Sequence, residues 1–373
     1  MSADTAAHVT GPVAGVPTAR RIDHFALTVP DLDAAVGYTV DVLGGELVYR
    51  LPPLAHDDDW MREHLDVHPR AAAEIALVRL GPTTNLELFR YTAPDHVARP
   101  PRPHDPGAPH FGLYADDVDA ALAALRARGH GHALGPVRTA DVPGPSAGAR
   151  WVRVRTPLGV PLELRSTPPH APGAARRHTH AGPWTNRDDG TAAPRALPTV
   201  RGVDHLTYGV ADLDAAEDFF VRVLGAEPLG RTAYDLTDPS LAAALGVPAG
   251  GVLHRSALRA GPTDNIELDC YQGLPGARAR RPRNSDVGGS HLALYVDDVD
   301  AAAAYLAAHP GCEVLGGPET IDEGPLAGDR WVYVRTAVGL YVEVVRMPDG
   351  ELPYERGTAA RRRAAHGLRW RDR

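Results

Sequence analysis

The sequence predicts an α+β fold of four β-α-β-β-β modules that pair into two domains. Two observations lead to this prediction: the second half of the chain repeats the first, and the same order of expected elements occurs twice in each half. The chain has 373 residues. That length is sufficient for two domains of about 150 residues each.

Four pairs of matching segments define the repeat. They are 21–45 with 202–226, 81–91 with 261–271, 109–129 with 290–311, and 150–168 with 330–348. Within each half, a strand with a histidine and the aspartate-rich start of a helix occur twice. We therefore predict a disordered N-terminal tail (1–20), a first domain (21–167), a linker (168–199), a second domain (200–348) and an Arg-rich C-terminal tail (349–373).

Each module begins with a short strand around its histidine, for example over residues 23–29. A helix follows, and aspartates at its start suit an N-cap and the helix dipole; they are Asp31 or Asp33 and the run from Asp116 to Asp119. Glycine ends the helix at Gly44, Gly129 and Gly225. Alternating strands come next, and the last of them contains a glutamate.

Composition excludes several classes of protein. The net charge of −8 argues against nucleic-acid binding, which requires concentrated positive charge. Two cysteines cannot form a disulfide framework, so a cytoplasmic location is expected. No apolar run is long enough to span a membrane, and the Arg-rich C-terminal tail is expected to be solvated. The chain has no lysine, which excludes Schiff-base chemistry on a lysine amine.

Four histidines and four glutamates recur in register. They are His24, His110, His205 and His291, and Glu87, Glu163, Glu267 and Glu343. The first and second histidines of each half are 86 residues apart (110 − 24 and 291 − 205), and the two glutamates of each half are 76 apart (163 − 87 and 343 − 267). Insertions normally accumulate between duplicated copies, so metal coordination is the most economical reason for this conserved spacing between the two halves.

Strand periodicity places these side chains on one face. Glu87 lies between Leu86 and Leu88, and the other three glutamates also have aliphatic neighbours. Because alternate residues of a strand face opposite ways, the glutamates point to the polar, concave side. A single such glutamate could be solvated or paired with arginine, and a single histidine could be structural. Four histidines and four glutamates in matched register favour a metal site. Two imidazoles and two carboxylates suit Zn, Ni, Co, Mn or Fe(II).

The pieces DH(F/L), N(L/I)EL, H(F/L)(G/A)LY and (L/V)E(L/V) resemble the vicinal oxygen chelate superfamily, which includes glyoxalase I, epimerases, extradiol dioxygenases and resistance proteins. The resemblance implies that paired modules form half-barrels around a divalent metal. One site would contain His24, Glu87, His110 and Glu163, and the other His205, Glu267, His291 and Glu343. Glu267 and Glu343 would be the acid and base of the second domain, and Glu87 and Glu163 those of the first.

Full ligand sets in both halves favour the glyoxalase and epimerase branch over dioxygenases. The resemblance therefore implies a metal-dependent isomerase of carbohydrate or cyclitol secondary metabolism. The metal would polarise the ketone of a small polyhydroxylated substrate, and the glutamates would move the proton on the adjacent carbon. An extradiol Fe(II) dioxygenase and a small-molecule binding or resistance protein are the alternatives. A homodimer would be typical of the family.

Overall fold

The computed structural model describes residues 15–168, 183–187, 190–278, 280–348, 352–356, 358–362 and 368–371. It confirms the four β-α-β-β-β modules. The strands of modules 1 and 2 are β1 (Ala19–Thr28), β2 (Glu46–Arg50), β3 (Ala72–Leu80), β4 (Thr84–Thr92), β5 (Pro109–Ala115), β6 (Arg138–Thr139), β7 (Arg150–Val154) and β8 (Leu162–Ser166). Those of modules 3 and 4 are β9 (Val200–Gly209), β10 (Glu227–Asp235), β11 (Val252–Ala260), β12 (Asp264–Gln272), β13 (Ser290–Val296), β14 (Glu313–Thr320), β15 (Arg330–Arg335) and β16 (Tyr341–Arg346).

In the described residues, π-helical segments over Tyr38–Val42 and Phe219–Val223 extend two of the helices, a 3₁₀ turn lies at Pro353–Glu355, and six α-helices accompany the strands. They are α1 (Leu32–Gly37), α2 (Trp60–Leu65), α3 (Val118–Ala127), α4 (Leu213–Asp218), α5 (Pro239–Leu245) and α6 (Val299–Ala307). Aspartate begins the first helix of every module as expected, and the Asp31 carboxylate accepts a hydrogen bond from the Ala34 amide. Gly44 and Gly225 follow the helical segments with φ of 87° and 77°, a conformation that favours glycine.

The modules pair in a way that the sequence did not predict. One eight-stranded sheet has the order β14-β15-β16-β13-β1-β4-β3-β2, so it joins modules 1 and 4. The other has the order β10-β11-β12-β9-β5-β8-β7-β6 and joins modules 2 and 3. The expectation that modules pair within each half, 1 with 2 and 3 with 4, is therefore wrong. The first strands of the four modules are similar, so each could pair with more than one partner.

The aliphatic faces of both sheets are buried, as strand periodicity predicted. The residues on either side of the four glutamates have no exposed surface; they are Leu86, Leu88, Leu162, Leu164, Ile266, Leu268, Val342 and Val344. They belong to one hydrophobic core that includes both sheets and the helices α1, α3, α4 and α6, where Phe25 of β1 and Phe111 of β5 lie 5.4 Å apart. The glutamates and histidines consequently face the opposite, concave side of each sheet.

The segments outside the modules are partly packed against them. Trp184, in the predicted linker, is buried and donates a hydrogen bond to the Gly44 carbonyl. In the described residues of the C-terminal segment (352–356, 358–362 and 368–371), Arg362 and Trp370 are buried, which corrects the expectation of a solvated tail for this part of it. Residues 1–14 lie outside the described residues, so this part of the predicted N-terminal tail stays a prediction. Residues 15–20 of that tail are described: Val16 and Ala19 are buried and β1 begins at Ala19, which corrects the predicted disorder there. No helix among the described residues is long and apolar enough to cross a membrane.

Candidate metal centre

One cluster of two histidines and two glutamates lies where β1 meets β13. His24 and Glu87 come from module 1, and His291 and Glu343 from module 4; we call these four residues the open centre. His24 Nε2 lies 3.2 Å from Glu87 Oε2, 3.0 Å from Glu343 Oε2 and 3.2 Å from His291 Nε2. His291 Nε2 lies 3.7 Å and 3.3 Å from the same two oxygens.

These spacings fit a divalent ion. Ligands about 2.1 Å from a central ion lie about 3.0 Å apart at right angles and about 3.4 Å apart in a tetrahedron. Within the described residues, Glu343 Oε2 is buried and has no hydrogen bond of good geometry, although two imidazole nitrogens are close to it. The four ligand-type atoms are therefore close enough to share one ion, and Glu343 Oε2 is available to it.

Neighbouring side chains orient the histidine and glutamate of module 1. His24 Nδ1 lies 2.8 Å from Asp23 Oδ2, so it donates to this carboxylate and turns Nε2 towards the centre. Arg21 pairs with the other oxygen of Asp23 at 2.8 Å. The Tyr49 hydroxyl donates to Glu87 Oε1 at 3.3 Å. A carboxylate behind a ligating histidine is a common feature of metal sites.

The ionisation of each side chain in the open centre depends strongly on the charges of its neighbours. Burial by itself would lower the pKa of His24, but the Glu87 carboxylate and the hydrogen bond to Asp23 hold this pKa well above its ordinary value. Burial would raise the pKa of Glu343, yet the close imidazole of His24 and its charge keep this pKa below its ordinary value. Without a metal, the neighbouring carboxylates therefore favour the protonated form of His24.

This coupling predicts the pH dependence of the metal-free protein. Because the pKa of His24 is raised in the folded state, its stabilising contribution is complete below the unfolded value of about 6.5 and is lost as pH rises through the folded value. We expect the free energy of unfolding of the metal-free protein to fall as pH rises above about 6.5. Urea unfolding of the wild-type and His24→Gln proteins tests this, and an equal slope in both would contradict it.

A cavity of about 580 Å³ adjoins the open centre. His24, Glu87 and Glu343 lie in its wall, and Trp331 and Tyr333 from β15 form another side. The side chains of Glu87 and Glu343 are 9% and 11% exposed, so a part of each is accessible from the cavity. A small molecule entering it would meet both carboxylates.

The equivalent cluster of the other sheet is filled by arginine. We call His110, Glu163, His205 and Glu267 the closed centre. Arg153 lies 3.1 Å from Glu163 and 3.0 Å from His110 Nε2. Three arginines and three carboxylates occupy this region, all buried: Arg153, Arg165 and Arg255, with Glu163, Glu267 and Asp269.

The side chains of the closed centre fit an ion-pair cluster rather than a metal site. Glu267 lies 3.0 Å from Arg165 and 2.8 Å from Arg255, and it is not part of the group formed by His110, Glu163 and His205. Burial and the Arg153 charge hold the pKa of His110 well below its ordinary value. Guanidinium groups already neutralise the carboxylates, so an added cation would meet little attraction there.

Four substitutions between the repeats account for the difference between the centres. Ile75, Phe89, Tyr333 and Val345 all line the cavity of the open centre. The matching positions of the other modules, in the same order, are Arg255, Asp269, Arg153 and Arg165. Uncharged side chains at these four positions therefore leave space beside one cluster, whereas at the other cluster three arginines contact the carboxylates and fill the equivalent space.

The sequence identified the eight residues but grouped them incorrectly. The predicted sets joined His24 and Glu87 with His110 and Glu163, and His205 and Glu267 with His291 and Glu343. The structure instead brings modules 1 and 4 together, and modules 2 and 3. The predicted acid/base pairs change accordingly: Glu87 and Glu343 share the open centre, and Glu163 and Glu267 face the arginines of the closed one.

Four residues near the open centre were missed by the sequence analysis: Asp23, Tyr49, Asp329 and Arg362. The repeated Asp-His pair, at 23–24 and 204–205, was a signal for Asp23. Tyr49 and Asp329 are matched in the repeat by Gly230 and Ala149, so a comparison of the two halves could have identified both. Burial raises the pKa of Asp329 to about 7. Arg362 lies outside the repeat and gave no signal.

Fold and site define the class of protein. The model of the Glyoxalase/Bleomycin resistance protein/Dioxygenase superfamily matches residues 21–164 and again 202–343. The chain belongs to this superfamily, as the sequence motifs indicated. The paired βαβββ modules agree with its half-barrel fold.

A characterised relative gives a more specific resemblance. The chain is 45% identical over 178 residues to 2-epi-5-epi-valiolone epimerase of an Actinomyces species; the match covers 48% of this chain and 96% of the relative. Among solved structures, glyoxalase I of Zea mays matches with a TM-score of 0.52 and 16% identity, over 88% of this chain and 92% of that one. A variant of the same maize enzyme gives a TM-score of 0.54, with 16% identity, 88% of this chain and 94% of that one. These structures support the fold alone.

Proposed function

We propose that the chain is a metal-dependent epimerase that moves a proton on the carbon beside the ketone of a small, uncharged, polyhydroxylated substrate. The observation that supports this most directly is the open centre, in which four ligand-type atoms and an adjacent cavity occur together. The name of the Actinomyces relative agrees with the proposal, and 2-epi-5-epi-valiolone is the corresponding candidate substrate.

His24, Glu87, His291 and Glu343 would hold one divalent ion per chain. Bound there, such an ion polarises a ketone oxygen and lowers the pKa of the neighbouring C–H. The donor set of two imidazoles and two carboxylates is compatible with Zn, Ni, Co, Mn or Fe(II). It differs from the two histidines and one carboxylate of non-haem iron oxygenases, which disfavours the dioxygenase alternative.

Proton transfer is assigned to the two glutamates of the open centre. Glu87 is on β4 and Glu343 is on β16, and these strands flank the central β1–β13 pair on opposite sides. One carboxylate can therefore remove a proton from one face of a carbon, and the other can return one to the opposite face, which inverts the configuration. The Tyr49 hydroxyl holds Glu87, so we assign the role of first base to Glu343.

Charge around the cavity favours an uncharged substrate. Six lining residues are acidic and one is an arginine; the acids are Glu87, Glu319, Asp322, Glu323, Asp329 and Glu343. Asp322 and Glu323 are exposed on the loop at the rim. The matching residues beside the closed centre are Val142 and Pro143, so the acidic rim is specific to the open one. A phosphate or a carboxylate-rich carrier would be repelled at this entrance.

The proposal is tested by metal analysis and by isotope exchange. Purified protein is expected to bind one divalent ion per chain, measured by elemental analysis. Under nitrogen, the loaded protein is expected to exchange deuterium from solvent into 2-epi-5-epi-valiolone or a related hydroxyketone, followed by NMR. Oxygen uptake with a catechol would instead support a dioxygenase, and failure to exchange across a broad panel of neutral hydroxyketones would contradict the proposal.

The acidic residues at the cavity entrance predict that the protein selects its substrates by charge. Each rim carboxylate is expected to oppose an added negative charge by about 1 kcal/mol. Replacing Asp322 by asparagine and Glu323 by glutamine should therefore raise kcat/KM for a phosphorylated hydroxyketone by about tenfold or more, with little change for the neutral one. The control is Asp214→Asn with Glu217→Gln, which removes two charges from α4, away from the cavity. The same gain in the control would contradict the prediction.

A further inference from the structure

We propose that Arg362, on the C-terminal segment, is a positioning residue of the open centre, and that it orients His24 through Asp23 and Glu87 through Tyr49. The inference rests on the proposed metal binding at this centre. Arg362 lies in the wall of the same cavity and is buried, although it comes from a segment beyond the last module. Its partners are the residues that contact the two ligand-type side chains of module 1.

The contacts form two short chains. Arg362 Nη2 donates to the Tyr49 hydroxyl at 2.8 Å, and this hydroxyl donates in turn to Glu87 Oε1 at 3.3 Å. Arg362 Nε lies 3.4 Å from Asp23 Oδ2, the oxygen that accepts from His24 Nδ1. One guanidinium therefore touches the partner of a histidine ligand and the partner of a carboxylate ligand.

A third contact fixes the guanidinium itself. Arg362 Nη1 donates to Asp329 Oδ2 at 3.4 Å, and Asp329 also lies in the cavity wall. A planar guanidinium can make these three contacts in different directions at the same time. A lysine ammonium, which is a single compact charge, cannot reach Tyr49, Asp23 and Asp329 with the same geometry.

The polypeptide holds Arg362 from both directions. Before it, Leu352 packs with Val48 and Leu77, and the rings of Tyr354 and Tyr49 lie 5.1 Å apart. The Tyr354 hydroxyl also accepts a hydrogen bond from the Arg362 amide at 3.2 Å. After it, the Trp370 indole donates to the Gly225 carbonyl. The segment is thus attached at several points, and the position of Arg362 follows from them.

A comparison of the two centres distinguishes a positioning role of Arg362 at the open centre from a role in stabilising the fold. The closed centre has the same strands, yet Gly230 stands where the open centre has Tyr49, and Ala149 stands where it has Asp329. The sheet therefore forms without these side chains. Two of the three partners of Arg362, Tyr49 and Asp329, thus occur at the centre that has a cavity and have no polar counterpart at the other centre, which indicates that the network serves the open centre rather than the fold.

The test measures binding of Co²⁺ to metal-free protein. Partners of metal ligands typically change affinity by about 10–100-fold when they are removed, so we expect Arg362→Ala to raise the Kd for Co²⁺ by that factor and to alter its visible absorption band. Arg362→Lys should recover part of the affinity, and Tyr49→Phe should lose part of it. Arg361→Ala is the control, because Arg361 contacts Glu355 and lies outside the centre.

Unfolding of each metal-free variant shows whether a loss of affinity reflects a loss of fold. If Arg362→Ala does not fold, Arg362→Lys and Tyr49→Phe test the same links. Equal Kd and equal absorption for the wild-type and Arg362→Ala proteins would overturn this inference alone. Failure of the wild-type protein to bind Co²⁺ would overturn the proposed function and the inference with it.

Discussion

Glu343→Gln is expected to lower kcat/KM by about 10²–10⁴-fold, because the variant loses the carboxylate that removes the proton. Glutamine has nearly the same shape, and the aliphatic neighbours Val342 and Val344 stay buried, so the sheet should remain folded. Glu87→Gln should have an effect of similar size. Initial rates of epimerisation and deuterium exchange, measured at saturating metal, test both variants.

The matched control is Glu163→Gln, at the equivalent position of the repeat. Glu163 contacts Arg153 and Arg165 and is 2% exposed, so it cannot meet a substrate in the cavity of the open centre. Turnover per folded molecule should therefore stay close to that of the wild-type protein. A loss comparable with that of Glu343→Gln, in a folded Glu163→Gln protein, would mean that both centres are catalytic.

Glu267→Gln is expected to destabilise the protein by about 3 kcal/mol, since it leaves buried guanidinium charge without its partner. Glu267 is fully buried and lies 3.0 Å from Arg165 and 2.8 Å from Arg255. Arg255 keeps its bidentate contact with Asp269, and this remaining pair holds the expected loss at the lower end of the range for broken buried ion pairs.

Urea unfolding of metal-free protein measures this loss. The control is Glu74→Gln, which breaks the Arg90–Glu74 pair on the surface. Both side chains of that pair are nearly half exposed, so its loss should cost less than about 1 kcal/mol. Equal losses in the Glu267 and Glu74 variants would contradict the interpretation of the closed centre as a buried ion-pair cluster.

Much of the fold followed from local patterns in the sequence. The aspartate N-caps, the terminal glycines and the strand alternation around the glutamates are determined within a few residues, and all were confirmed. Pairing of the modules was not local. Ile22 and Phe25 around His24, and Val203 and Leu206 around His205, are equally apolar. Either strand could therefore pair with β5 or β13, and a single sequence does not choose between them.

Four of the eight residues described at the open centre, the histidines and glutamates, were predictable because their positions follow from local strand patterns. Their four neighbours do not follow from these patterns. Strand position identified all eight histidines and glutamates, but their partners depend on which modules meet. The charged residues Arg153, Arg165 and Arg255 were visible as departures from Tyr333, Val345 and Ile75 of the repeat, and this comparison predicts which cluster is filled. The position of Arg362 depends on the path of the C-terminal segment, which no local pattern in the sequence specifies.

The pairing of modules 1 with 4 and 2 with 3 has an evolutionary consequence. If two identical half-length chains associated symmetrically, every mutation would appear in both catalytic pockets, and a change that damaged one would damage its twin. The relative from Actinomyces has about half the length of this chain. Covalent fusion removes the symmetry, so the two pockets can diverge, and one can acquire arginines while its counterpart keeps a cavity beside its histidines and glutamates.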